Sequence, residues 1–143
     1  EFKIFFNEEE KNIIFNKLKN EYNFTADNSF INKFLYFDSP GNLLSYIKKF
    51  NGTDFDLSRD FLLCFFHLIE NYKSKKDVNI LHSASLFLEI YFNDLIRDKG
   101  KNSSYLFLYK SKLMNQINDM KKFNLDKKNL LISIKSLINY EKK

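Results

Sequence analysis

The chain has 143 residues, 44% of them hydrophobic and 29% charged, with a formal net charge of +5 and one cysteine. This composition excludes an intrinsically disordered chain, and the lone cysteine excludes an intrachain disulfide framework. No apolar stretch reaches the about 20 residues a membrane-spanning helix needs, and none has the basic, apolar, small-residue order of a secretory signal.

Length and the absence of a Pro/Gly/Ser-rich linker point to one domain over residues 1–143. Cytoplasm or nucleus is the default compartment. Seventeen Phe, eight Tyr and no Trp, beside abundant Asn, Lys and Ile, match the usage of an AT-rich genome. Aromatic abundance therefore carries reduced weight as a ligand signal. Three Asn-x-Ser/Thr triplets begin at Asn23, Asn51 and Asn102, and in so Asn-rich a chain they decide nothing.

Taken in chain order, the pattern predicts seven helices. Asn7 caps the first, roughly Glu8 to Tyr22, whose three leading glutamates face the positive helix end and whose Ile14, Phe15, Leu18 and Tyr22 keep helical spacing. The second runs from about Asn28 to Phe37, capped by Asp27 and carrying Phe30, Ile31, Phe34 and Leu35. Ser39-Pro40 starts the third, which presents Leu43, Leu44, Ile47 and Phe50 and stops at Asn51-Gly52. The fourth spans about Ser58 to Tyr72, capped by Asp56 or Ser58. Within it, residues 61–72 are apolar on nearly every face, which predicts a central rod wrapped by other helices.

Asp77 opens a long fifth helix to about Arg97, with Ile80, Leu81, Ala84, Phe87, Leu88, Tyr91, Phe92 and Leu95 as its stripe and Gly100 as its end. Ser103 or Ser104 caps the sixth, with Tyr105, Leu108, Tyr109, Leu113, Ile117 and Met120 expected inward. Asp126 caps the last, which buries Leu130, Leu131, Ile134, Leu137 and Ile138. Short connections make sequential helices antiparallel neighbours. The fold class is all-α: a compact bundle of about seven short helices around the apolar helix 61–72, or a short HEAT/armadillo-like helical-repeat fragment. Hairpins of about 40 residues fit the repeat length, although no residue pattern recurs at that period. An α+β alternative pairs Phe2–Phe6 with Tyr105–Tyr109 as a two-stranded ribbon, since both runs are β-prone.

Basic residues gather at helix ends: Lys48 and Lys49, Lys73 with Lys75 and Lys76, Arg97 with Lys99 and Lys101, Lys121 and Lys122, and Lys142 and Lys143. Acids gather at helix starts, so macrodipole complementarity explains the arrangement. If the chain runs strictly up and down, Lys48, Lys49, Arg97, Lys99, Lys101, Lys142 and Lys143 share one pole, which is the pattern of a phosphate-binding patch. Cys64 and His67, one turn apart, form at most half a zinc site with His82. Their apolar setting instead points to a buried thiol and a core histidine, so no metal, cofactor or catalytic residue is assigned.

The segment singled out for binding is Tyr105 to Tyr109, because one helix cannot bury five consecutive large apolar residues against one neighbour. Tyr105, Leu106, Phe107 and Tyr109 are the candidate partner-binding residues, with Phe34 and Phe37 of the Phe34–Phe37 cluster beside them. The expected function is a non-enzymatic protein–protein interaction module, a scaffold or adaptor that receives a partner helix or peptide. The alternatives are nucleic-acid or acidic-surface binding through Lys48, Lys49, Arg97, Lys99 and Lys101, and a Bcl-2-like helical bundle with a partner groove. That family also wraps an apolar central helix, but its Asn-x-Gly-Arg groove signature does not occur here.

Overall fold

The structure, a computed structural model, describes residues 5–22, 28–50, 53–57, 59–75, 77–100, 104–123 and 125–141, with backbone alone at 28–30, 73–75, 99 and 137–141. The chain is all-α. Among the described residues there are seven helices and no strand: α1 (Glu8–Tyr22), α2 (Asn28–Phe37), α3 (Pro40–Phe50), α4 (Phe61–Lys75), α5 (Val78–Lys99), α6 (Ser104–Phe123) and α7 (Lys128–Glu141). Residues 105–109 lie inside α6, which removes the ribbon alternative; its other half, residues 2–4, falls outside the described residues.

Local chemistry places most of the helix ends. The Asn7 side chain accepts from the Glu10 N–H at 2.9 Å, and Glu10 accepts from the Asn7 N–H at 2.8 Å, a reciprocal capping box. Ser39 Oγ accepts from the Asn42 N–H at 3.3 Å ahead of Pro40 at the first position of α3. Asp77 accepts from the Asn79 N–H at 2.9 Å and caps α5. Gly100 ends α5 at φ 55°, a left-handed conformation suited to glycine, and its N–H reaches the Ile96 carbonyl.

Two starts differ from the sequence expectation. The Asp56 carbonyl accepts from the Arg59 and Asp60 N–H groups, and Asp60 accepts from the Asp56 N–H, so a closed turn holds the chain until Phe61. At α7 the residue before the helix is Lys127, whose carbonyl takes the Leu131 N–H, one place after the expected cap Asp126. The expected caps Asp27, Ser58 and Ser103 lie outside the described residues, as do the three residues 101–103 and the terminal pair 142–143.

The chain gathers into two compact units, Glu1–Asp60 and Phe61–Lys143. In the first, α1 packs on α2 and α3, and α2 on α3. Its buried side chains include Phe15, Ile31, Phe34, Leu35, Leu43, Tyr46 and Phe50, with the Phe34 and Tyr46 rings 5.0 Å apart. Lys11 Nζ donates to the Leu35 carbonyl at 2.7 Å, satisfying an end carbonyl of α2.

In the second unit packing is serial: α4 on α5, α5 on α6, α6 on α7. Two residues join α4 to α5, so that pair reverses direction as expected. The wrapping expected of residues 61–72 is partial. Phe61, Cys64, Phe65, Leu68, Ile69 and Tyr72 form one buried stripe, while Leu63 is exposed and Leu62 and Phe66 are half-buried. Enclosure is greatest on α5, where from Ile80 to Phe92 only His82, Glu89 and Tyr91 escape burial. The buried Ser83 and Ser85 hydroxyls donate back to the Asn79 and His82 carbonyls at 2.8 and 2.7 Å, so α5 sinks two polar side chains at little cost. On α6 the inward set is Leu106, Leu113, Ile117 and Met120. Leu108, expected inward, is 74% exposed, and Leu106, expected outward, is fully buried.

Candidate functional site

The phase of α6 follows from what sits between Leu106 and Leu113. Lys110 falls on the same row, where a leucine would continue the stripe. Its ammonium donates to Glu89 Oε1 and Asn93 Oδ1 of α5, both at 3.0 Å. This pair is partly screened, with the Lys110 and Glu89 side chains 21% and 34% exposed. It pins α6 to α5 with Leu106 inward.

With Leu106 inward, the two following residues turn out. Phe107 is 56% exposed and Leu108 74%, and Tyr105 and Tyr109 flank them half-buried. Ser104, Ser111 and Lys112 complete the exposed surface of the first turns, and Lys112 follows Leu108 on the same face at i+4. Lys112 has no ion pair or hydrogen bond among the described residues, and no acidic residue occurs between Ser104 and Asn118. The result is a small apolar projection with a cationic edge on a twenty-residue helix.

The other sequence-derived residues lie on several different elements. Leu106 and Phe34 belong to the buried cores, and Phe37 is half-buried with its ring 4.9 Å from the exposed Tyr36. Lys48 and Lys49 end α3 in the first unit, with Lys48 Nζ 3.9 Å from the centre of the Tyr22 ring. Arg97 ends α5 in the second and is ion-paired to Asp94 at 2.9 Å. The Lys99 side chain, Lys101, Lys142 and Lys143 lie outside the described residues. Cys64 is buried and in no disulfide, and His82 is exposed. Among the described residues no three His, Cys, Asp or Glu side chains gather as metal ligands, and no helix is long and apolar enough to cross a membrane.

One feature escaped sequence reasoning. A cleft of about 440 Å³ opens where α6 meets the start of α7. Met120 and Leu130, both almost fully buried, line it with the half-exposed Leu125, and Asp119, Asp126 and Lys128 supply its polar edge. Neither aspartate has a hydrogen bond or ion pair among the described residues. Gln116, also in the lining, donates from Nε2 to Ser133 Oγ at 3.0 Å, while its buried Oε1 has no partner. Nothing in the spacing of these residues marks a cleft, which exists only because α7 folds back on α6.

No family model, no curated protein and no solved structure matches this chain.

Proposed function

We propose that this chain is a non-enzymatic protein-interaction module, a scaffold or adaptor piece, and that the exposed start of α6 is its docking surface. One observation carries the reading: Phe107 and Leu108 stand out between two half-buried tyrosines on a helix anchored by Leu106, Leu113 and the Lys110–Glu89 pair. Scattered exposed apolar residues are ordinary, but a Phe and a Leu side by side with flanking tyrosines form a contiguous patch. Aromatic anchors of this kind concentrate binding energy at protein interfaces, and a surrounding polar edge sets orientation and on-rate. The partner that fits is an amphipathic helix laying its apolar face over Phe107 and Leu108, with acidic residues toward Lys112.

The test is a titration of isotope-labelled protein with a designed leucine/glutamate amphipathic helix and its leucine/lysine twin. Amide shifts are expected across Tyr105 to Lys112, stronger for the acidic peptide. Phe107→Asp is expected to weaken binding by roughly tenfold or more without lowering thermal stability, since truncating a central anchor typically costs about 2 kcal/mol or more. Shifts located elsewhere, or binding indifferent to Phe107→Asp, would remove this surface from the function.

A further inference from the structure

The second unit carries along α6 both an exposed apolar projection and a cleft whose lining mixes Leu125, Met120 and Leu130 with charged side chains. Phe107 and Leu108 project near the start of α6, and the cleft lies near its end, over Met120 and Leu130. The two are a dozen residues apart, roughly 20 Å along a helix rising 1.5 Å per residue, so the projection cannot reach the cleft of its own chain. Their charges are opposite in sense. The projection carries the unpaired Lys112 and has no acid in its first four turns, whereas the cleft edge carries two unpaired aspartates, Asp119 and Asp126, against the single cation Lys128. Each surface thus offers what the other lacks.

We infer that the occupant of the cleft is a second copy of this chain. Phe107 and Leu108 of one copy enter the α6–α7 cleft of the next and pack against its exposed Leu125, while Lys112 meets the carboxylates of Asp119 and Asp126. This rests on the reading of the start of α6 as a docking surface and names its partner. The donor and acceptor surfaces are different patches of the same unit, so the contact is heterologous. Such contacts propagate head to tail unless the rotation between copies closes a ring. A cleft of about 440 Å³ has room for one aromatic and one aliphatic side chain. The Lys112–aspartate approach at its edge makes the association weaken with salt.

The full chain is measured by sedimentation velocity from low micromolar to about 0.5 mM, at low and high salt. The expected result is a mass that rises with concentration and falls with salt. Two variants divide the interface, Phe107→Asp with Leu108→Asp on the projection and Asp119→Lys with Asp126→Lys on the cleft. All four side chains are at the surface, and unchanged circular dichroism confirms the fold. Each variant alone is expected to remain monomeric. Mixed, they retain one good projection and one good cleft, so they form a heterodimer of one copy each and nothing larger. Lys112→Glu, which leaves the apolar projection intact, is expected to weaken association roughly tenfold and to regain it against the charge-reversed cleft. Assembly that survives in either variant, or a mixture that stays monomeric, overturns the inference. A wild-type chain that stays monomeric throughout but still binds the acidic helix at Phe107 overturns self-docking alone and leaves the proposed function standing.

Discussion

Lys110 occupies a place on α6 that helical spacing reserves for an apolar residue, and its two 3.0 Å bonds to Glu89 and Asn93 make the exception tolerable. Lys121, later on the same helix, has no such compensation: partial burial pushes its ammonium below the usual lysine range. A lysine whose folded pKa is depressed binds fewer protons folded than unfolded just above that folded value. Stability then rises with pH through that window, up to the unfolded lysine value near 10.4. Replacing Lys121 by Met is therefore expected to raise stability at neutral pH, with the gain shrinking as pH climbs toward that of free lysine. Urea unfolding of both proteins from neutral to alkaline pH measures this. A gain constant across the range would assign the effect to packing and not to charge.

Along the elements, the decisive comparison is between two leucines two residues apart. Leu106 is fully buried and Leu108 is 74% exposed, although periodicity alone puts Leu108 inward. Leu106→Ala is expected to destabilise the chain by about 2–5 kcal/mol, and Leu108→Ala to stay within about 0.5 kcal/mol. Equal losses in urea denaturation would mean that α6 sits in the other rotation. The misreading has a physical source: five consecutive large apolar residues from Tyr105 to Tyr109 contain no phase information. The residue that sets the phase, Lys110, is apolar-facing only because Glu89 waits for it on another helix. The same blindness applies to α4 and α5. Residues 61–72 look apolar all round, yet Leu63 meets solvent, whereas α5 hides Ser83 and Ser85 by turning their hydroxyls back on its own carbonyls.

At the scale of the molecule, the second unit has its own serial packing of α4 through α7 and its own buried set, including Phe65, Leu68, Phe87, Leu88, Leu113, Ile117 and Ile134. A unit of this kind has the attributes of an independently folding domain. Phe61–Lys143 expressed alone is expected to give a helical spectrum and a cooperative urea transition. A broad, non-cooperative loss of helix would show that it depends on the residues before Phe61.

The helices themselves were legible from the chain. Their caps and stops are local chemistry: Asn7 with Glu10, Ser39 with Pro40, Asp77 and the left-handed Gly100 each act within a turn or so of their own position. The tertiary structure decided which faces those helices bury, because burial depends on neighbours far away in sequence. It selected Leu106 over Leu108 through a pair reaching 21 residues back to Glu89. It opened the α6–α7 cleft from Met120 and Leu130, residues separated by a reversal of the chain. Local hydrogen bonds read off a sequence directly, whereas an exposed surface is what remains after long-range packing has chosen its partners.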